Sequence, residues 1–220
     1  MTNDVENPTK NLHLVEFNQL ALERLKTAID EALANGHAFL TMLDDEAGQA
    51  NNQVNDAQLS SQQALNDIIA FDHVNLALDR SWGLLSHLNS VVSDEPIREL
   101  HHALLPALSA YGTAVGQHLP LYQRYQRVVS DQSFFARLEP ARQRSLTLAL
   151  QSFELSGVGL AEAQKQQFAT LASELSTLSA KFSDNVLDAT QSYFLPLSES
   201  QLAGLPESAL AMLADAGRRY

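Results

Sequence analysis

A Glu-x-x-His spacing is the clearest candidate for metal chemistry in this 220-residue sequence. Glu99 and His102 lie three residues apart, and Glu95 lies one helical turn earlier. Residues three or four apart share one face of a helix, and a helical bundle can hold a carboxylate-bridged pair of metal ions with such groups. A di-metal bundle needs a second Glu-x-x-His, and the sequence has none. The favoured interpretation of Glu95, Glu99 and His102 is therefore a charged surface on one helix.

Other kinds of catalytic site are missing from the sequence. The His-Glu-x-x-His signature, in which two histidines bind zinc and the glutamate is the general base, has no match because no histidine is followed by glutamate. There is no cysteine for thiolate chemistry and no Gly-x-Ser-x-Gly turn for a serine nucleophile. Ser156-Gly157-Val158-Gly159 joins two predicted helices, whereas a phosphate-binding loop follows a strand, so we interpret it as a helix end and turn. The sequence thus predicts no catalytic, cofactor-binding or metal-ligating residue among these 220.

The candidate residues must lie on helices. The sequence has two long apolar stripes at helical spacing and no sustained alternation of apolar and polar residues. The stripes predict the two longest helices, at about residues 64–92 and 162–195, and we interpret both stripes as core. The first stripe consists of Phe71, Val74, Leu78, Trp82, Leu85, Leu88 and Val92. The second consists of Phe168, Leu171, Leu175, Leu178, Phe182, Val186, Ala189 and Tyr193.

Shorter helices are predicted around these two. A helix from Val15 to Ala34 should end at Asn35-Gly36, because glycine tolerates the left-handed conformation that ends helices. The polar segment 44–63 should be a long, mobile connection. Other helix signals are the starts at Ser93–Pro96, Leu119-Pro120 and Pro140, a kink at Pro106, and a short final segment at 202–216. The prediction is an all-α fold, a bundle of long antiparallel helices with short flanking helices and no sheet, in which residues 1–14 are disordered and 15–220 form a helical domain.

Charge and hydropathy restrict the partners of such a domain. Fourteen basic and 26 acidic residues give a formal charge of −12, which repels nucleic acid. No apolar run approaches the length that spans a membrane, and the start, Met1–Glu6, lacks the basic and apolar character of a signal peptide. We therefore expect a cytoplasmic protein that binds neither nucleic acid nor membrane.

Three segments carry a resemblance to a known family. They are Ser86-His87-Leu88-Asn89-Ser90-Val91, Phe153-Glu154-Leu155-Ser156-Gly157-Val158-Gly159-Leu160 and Asn185-Val186-Leu187-Asp188-Ala189-Thr190. In this order and at these separations they resemble the N-terminal helical region of oligopeptidase A-like zinc metallopeptidases, in the thimet oligopeptidase and neurolysin family. The resemblance extends from about residue 15 to Leu210.

The resemblance implies a function for a protein longer than this chain. Family members are zinc endopeptidases that cleave short peptides in a deep channel, and their N-terminal helical region forms one wall of it. It implies that the zinc ligands lie outside this chain, in a C-terminal catalytic domain. The expected partners are therefore short peptides and that domain. We expect the 220 residues to be a fragment of a longer gene product, inactive alone and without bound zinc.

Three polar residues lie within the resembling segments. His87 is either a peptide-contacting residue on the channel wall or a hydrogen-bonded histidine between packed helices, and the second interpretation is favoured. Asn89 and Asn185 are poor helix formers, so each is expected to satisfy a neighbouring backbone or side-chain group. His73 lies at the boundary of the first apolar stripe.

A different class of function stays open from the sequence. A stand-alone helical module without catalytic activity could bind a partner helix in a groove. The two hypotheses differ in what the gene encodes beyond Tyr220: a peptidase requires His-Glu-x-x-His and a downstream glutamate there, whereas a stop codon favours the interaction module.

Overall fold

The computed structural model describes residues 21–52 and 59–217, and over these residues the regular elements are all helical. The predicted all-α fold is therefore confirmed. The α-helices are α1 (Leu22–Asn52), α2 (Ser61–Val91), α3 (Glu95–Gly116), α4 (Leu119–Ser130), α5 (Gln132–Phe135), α6 (Pro140–Leu155), α7 (Glu162–Gln191) and α8 (Glu207–Gly217), with a 3-10 helix at Glu199–Leu202. The predicted disorder of residues 1–14 lies outside the described residues.

Side-chain caps explain where several helices begin. The Ser60 hydroxyl accepts a hydrogen bond from the Gln63 backbone N–H, and the Gln63 side chain accepts one from the Ser60 backbone, which completes a capping box before α2. Asp94 caps α3, and Pro96 occupies its first turn as predicted. His118 caps α4 through Nδ1, which lies 3.2 Å from a backbone nitrogen in the first turn. Caps of this kind satisfy backbone donors that the helix itself leaves unpaired.

The predicted bounds of the first helix were wrong. Helix α1 continues through Asn35-Gly36 to Asn52, so much of the segment interpreted as a mobile connection is helical. Gly36 is buried beneath the ring of Tyr111 on α3, and a Cβ there would collide with that ring. The glycine thus permits close packing of two helices and does not end one. The predicted start at Val15 lies outside the described residues.

Contacts along the helices show that α1, α2 and α3 alternate in direction. Between α1 and α2, the rings of Phe39 and Phe71 lie 5.8 Å apart, while Arg124 binds both Glu46 and Asp67. Later residues of α1 thus meet earlier residues of α2, so the two helices are antiparallel. The same argument applies to α2 and α3, where Tyr111 Oη donates to Asn75 Oδ1 at 2.6 Å and the rings of Trp82 and His101 lie 4.6 Å apart.

One hydrophobic core joins these helices to α4 and α6. Its largest fully enclosed side chains come from α1, α2 and α4, and they are Ile29, Leu43, Leu85, Leu121 and Val128. Helix α2 supplies the predicted stripe: Phe71, Leu78 and Leu85 are buried, Trp82 is half-buried, and Val92 beyond the helix end is exposed. The interpretation of this stripe as core is confirmed for most of its length.

The chain divides into two compact units, the first ending at Ser179 and the second beginning at Ala180. The second unit contains the end of α7, an extended segment, the 3-10 helix and α8. Helix α7 ends at Gln191, four residues before the predicted end. The Tyr193 N–H donates a hydrogen bond to the Thr190 carbonyl, three residues earlier, and this bond tightens the end of the helix. Pro196 disfavours helical conformation at the residue before it.

Candidate functional site

The segment Ser86–Val91, the first of the three resembling segments, forms the last turns of α2. The Leu88 carbonyl accepts hydrogen bonds from the N–H groups of Val92 and Ser93, at 2.9 and 3.1 Å, and these close the helix end. Ser93 adopts φ +52°, a left-handed conformation that non-glycine residues seldom adopt and that ends helices. The segment thus fixes where α2 stops and where the chain turns toward α3.

His87 and Asn89 sit differently from what the sequence predicts. His87 is exposed, so its interpretation as a histidine between packed helices was wrong; it occupies the solvent face of the last turns of α2. Asn89 is half-buried, and its Oδ1 is buried without a hydrogen-bond donor among the described residues. Such an acceptor is a place where a further polar group would be stabilised. Asn185 is exposed on α7, and His73 is exposed on α2, consistent with the edge of the stripe.

Glu95, Glu99 and His102 are not part of a cluster of metal-ligating side chains among the described residues. All three side chains are exposed on α3, and the part of the chain that the structure describes contains no group of three or more histidine, aspartate or glutamate side chains able to hold a metal ion. Catalytic zinc needs three protein ligands and an open position for water. The described residues therefore do not fit a zinc ion, and no chemical step is assigned to them.

The segment Phe153–Leu160 ends α6 and turns the chain toward α7, as predicted for its glycines. Gly157 adopts φ +84°, which L-residues other than glycine seldom adopt. The Ser156 carbonyl accepts a hydrogen bond from Gln117 Nε2 at 3.2 Å. At Gly116, a Cβ would come within 2.6 Å of Ser156 Cβ, so a bare glycine is needed for this close approach between the end of α3 and the turn.

An apolar groove of about 440 Å³ opens beside this turn. We call it the turn groove. Its polar groups are the Glu154 carboxylate and the half-buried Tyr122 ring with its hydroxyl. Its apolar side chains include Leu155, which is 76% exposed, and the others are Leu119, Val158, Leu160 and Phe168. A concave, mostly apolar surface with a few polar groups is typical of the places where proteins bind ligands.

Helix α7 departs most from prediction. None of its described residues is buried, so the interpretation of its apolar stripe as core was wrong. The exposed side chains of the stripe are Leu171, Leu175, Leu178, Phe182, Val186 and Tyr193. The segment Asn185–Thr190 lies on this helix, and its Thr190 hydroxyl donates to the Val186 carbonyl at 2.7 Å. The stripe marks a helix face that the described residues leave uncovered.

Arg124 is the buried centre of a partly exposed ion-pair cluster that the sequence analysis did not predict. Its Nε donates to Asp67 at 2.7 Å, its Nη2 to Glu46 at 2.6 Å, and its Nη1 to the Pro120 carbonyl at 3.1 Å. The guanidinium is buried while both carboxylates keep contact with solvent. Since the three side chains come from α4, α2 and α1, the cluster is a structural clamp. The sequence signal is the helical spacing of Arg124 with Leu121, Tyr125 and Val128, which places a charged residue on the buried face of α4.

Asp131 forms hydrogen bonds that link α2 to α5. Its Oδ2 accepts a hydrogen bond from the Ser61 hydroxyl at 2.7 Å, and its Oδ1 accepts from the Phe134 N–H and the Ser133 hydroxyl. These hydrogen bonds, that from Ser61 first, lower the pKa of Asp131 to about 2. The residue thereby ties the start of α2 to the start of α5.

Comparison with known proteins assigns the arrangement to a family. Residues 37–165 match the N-terminal domain of neurolysin and thimet oligopeptidase. The matched region includes α2 to α6 and both helix ends that carry the first two resembling segments. The chain therefore belongs to the neurolysin and thimet oligopeptidase N-terminal domain family.

Individual relatives agree with this assignment. The chain is 42% identical to oligopeptidase A of Haemophilus influenzae over 146 residues, which cover 66% of this chain and 21% of that protein. It is 44% identical to oligopeptidase A of Escherichia coli, over 63% of this chain and 20% of that protein. A protein described as probable cytosolic oligopeptidase A of Arabidopsis thaliana is 32% identical, over 61% and 19%. The chain thus spans about a fifth of the length of the curated relatives it matches.

Proposed function

We propose that this chain, as a helical domain at residues 15–220, is the substrate-channel domain of a longer peptidase that hydrolyses short peptides. The observation that carries the proposal is the match of residues 37–165 to the N-terminal domain of neurolysin and thimet oligopeptidase. The described residues hold no cluster of metal-ligating groups. The domain therefore acts on peptides through binding and access, not through the chemical step.

An apolar groove in the second unit supports a continuation of the polypeptide. The groove measures about 770 Å³ and is lined by the segment 193–197, Leu202 and one face of α8. Phe194 and Leu195 are 54% and 59% exposed, and an apolar surface of this kind is costly to leave in water. Since relatives are about five times longer than the matched part, the proposed occupant is the catalytic domain that follows.

Zinc dependence belongs to the same proposal. The longer protein would hold zinc with ligands outside this chain, because the described residues do not supply the three that a catalytic zinc requires. We place the protein in the cytoplasm, since the chain has no cysteine and one relative is described as cytosolic. Among the described residues no helix combines the length and apolar character needed to cross a bilayer. With a charge of −12, nucleic acid is not an expected partner.

The turn groove is the proposed peptide-contacting surface of the first unit. Its leucines can cover apolar side chains of an extended peptide, while Glu154 can pair with a peptide ammonium or a basic side chain. A surface of this kind binds substrate and transition state about equally. Loss of such binding raises KM and leaves kcat little changed.

The test uses the longer protein encoded by the same gene and a series of peptides of increasing length. Leu155→Asp, in the turn groove, should raise KM about fivefold to tenfold with kcat within about twofold. Leu148→Asp is the matched control, because Leu148 is an exposed leucine on the same helix outside the groove. Peptidase activity should also disappear in chelator. If the longer protein shows no chelator-sensitive peptide hydrolysis, the proposed function is wrong. If Leu155→Asp and Leu148→Asp change KM equally, the turn groove does not contact the peptide.

A stand-alone interaction module remains the second candidate. The observation that favours it is the exposed apolar face of α7, which resembles a helix prepared to dock on a partner. The gene sequence beyond Tyr220 distinguishes the two candidate functions. A His-Glu-x-x-His motif encoded there supports the peptidase, and a stop codon there supports the interaction module.

A further inference from the structure

The turn groove carries a single charge. Among the described residues that line it, Glu154 is the only charged one, and its side chain is exposed. No lysine, arginine or histidine in the described part of the chain forms an ion pair with this carboxylate. The other groups on the groove surface are apolar side chains, glycines and Tyr122. The Glu154 carboxylate is therefore available to a cation that comes from outside the described residues.

The position of Glu154 at the end of α6 strengthens its attraction for a cation. Helix α6 ends at Leu155, one residue after Glu154. The C-terminal end of a helix carries a partial negative charge, which favours cationic side chains in the last turn and disfavours a carboxylate. Helix α6 has no basic residue in its last turn. The helix end and the carboxylate thus add two negative contributions at the same place.

The shape of the turn groove suits a short stretch of peptide. Its floor is fixed, because Val158 is buried and Gly157 turns the chain with φ +84°. A volume of about 440 Å³ lies in the range of small-ligand sites, about 300–1,000 Å³, so the groove accommodates a few side chains and not a folded domain. Three of its leucines are between 38% and 76% exposed; they are Leu119, Leu155 and Leu160.

We propose that the turn groove selects peptides in which a positively charged group lies beside apolar side chains, and that Glu154 determines this selection. The inference rests on the proposed function, because it names the class of peptide that the same groove binds. The cationic group is a lysine or arginine side chain or a free amino terminus, since each presents N–H donors to a carboxylate. The leucines cover the neighbouring apolar side chains. An acidic peptide is repelled by Glu154 and by the chain's charge of −12.

The exposure of Glu154 limits the size of the effect. An ion pair in contact with water strengthens binding about twofold to fivefold, and salt screens it. A tripeptide should bind the groove with a Kd on the order of 1 mM. A lysine peptide should bind about threefold to fivefold more tightly than the same peptide with norleucine, which has an uncharged alkyl side chain. The preference should disappear in about 1 M salt.

Nuclear magnetic resonance of the isotope-labelled 220-residue chain tests the selection directly. The probes are acetyl-Leu-Lys-Leu-amide, acetyl-Leu-norleucine-Leu-amide and the norleucine peptide with a free amino terminus. The amide signals of Gly157 and Gly159, which line the groove, should shift on titration, whereas those of Gly83 on α2 and Gly112 on α3 should not. Both charged peptides should bind more tightly than the neutral one, and the ratio of their Kd values shows which source of the cation is preferred.

Three variants test the role of the carboxylate. Glu154→Gln removes the charge and nearly keeps the size, so it should bind the lysine and norleucine peptides equally. Glu139→Gln is the matched control, because Glu139 precedes α6 at its other end and lies outside the groove; it should keep the preference. Glu154→Lys should reverse the preference, toward acetyl-Leu-Glu-Leu-amide. Both positions are exposed, so circular dichroism should show an unchanged fold in each variant.

The outcomes separate this inference from the proposed function, because the titration involves no hydrolysis. The inference is wrong if wild type binds the lysine and norleucine peptides equally, if the two groove glycines do not shift, or if Glu154→Gln keeps the preference. The proposed function fails separately, if the longer protein shows no chelator-sensitive hydrolysis. In that longer protein Glu154→Gln should raise KM about threefold to fivefold for lysine peptides and leave it unchanged for norleucine peptides. An equal rise in KM for both kinds of peptide would also overturn the selection.

Discussion

Helices α2 and α7 are almost equal in length, at 31 and 30 residues, and each carries an apolar stripe at helical spacing. Helix α2 packs against α1, α3 and α4, and its buried residues extend from Ser61 to Leu85. None of the described residues of α7 is buried. The pattern in a sequence therefore identifies a face that must be covered, and it does not identify what covers it.

The largest expected effect contrasts one leucine from each helix. Leu85 of α2 is fully enclosed, whereas Leu175 of α7 is 66% exposed. Leu85→Ala should lower the free energy of unfolding by about 3 kcal/mol, since it removes transfer free energy and leaves a cavity. Leu175→Ala should change it by less than about 0.5 kcal/mol in dilute protein, as for other surface positions. Urea denaturation followed by circular dichroism measures both, and similar losses would show that α7 is part of the core.

Helices α3, α4 and α6 could be located from sequence because their signals are local. Proline at the starts of α3, α4 and α6, the Asp94 cap, and Gly157 after α6 each act within one turn of the chain. The Gly36 contact could not be predicted, because the reason for that glycine is the Tyr111 ring, 75 residues later. The Arg124 cluster also joins residues from three helices, and no spacing in the sequence reports such a meeting.

The candidate site was predictable in a different way. Three sequence segments predicted the family correctly. The absence of a His-Glu-x-x-His motif led to the expectation that no catalytic group lies in this chain. The exposure of His87 and of the α7 stripe was not predictable from periodicity. Periodicity reports which residues share a face, and exposure depends on whether another element is present to cover that face.

Trp82 tests the intermediate case, a stripe residue at the edge of the core. It is half-buried, and its ring stacks on His101 with an angle of 17° between the planes. Trp82→Ala should cost about 2 kcal/mol, less than the ~3–5 kcal/mol of an enclosed aromatic side chain. Because Trp82 is the only tryptophan, unfolding must be followed by circular dichroism. A loss below about 1 kcal/mol would place Trp82 outside the core.

Two glycines in long helices give a sharper test of packing. Gly36→Ala drives a methyl group into the Tyr111 ring and should destabilise the fold by about 1–2 kcal/mol. A methyl group on Gly83 of α2 would meet no neighbouring side chain within 4 Å, so Gly83→Ala should stabilise by about 0.5–1 kcal/mol through helix propensity. Thermal unfolding should therefore move in opposite directions for the same substitution. A gain in both variants would mean that α1 and α3 separate easily.

The smallest expected effect is the pH dependence contributed by Asp131. Its pKa is lowered from 3.8 to about 2 in the folded chain by the hydrogen bonds from Ser61, Phe134 and Ser133. A folded-state pKa below the unfolded value gives stability that is present above about pH 4 and lost as the pH falls through about 2. Asp131→Asn should therefore be less stable than wild type near neutral pH, with the difference shrinking between pH 4 and 2.

Glu139→Gln is the matched control, because Glu139 precedes α6 without a side-chain capping hydrogen bond. Urea denaturation of all three proteins across this pH range measures the effect, and a difference between wild type and Asp131→Asn that stays constant with pH would show that the carboxylate charge does not hold α2 to α5.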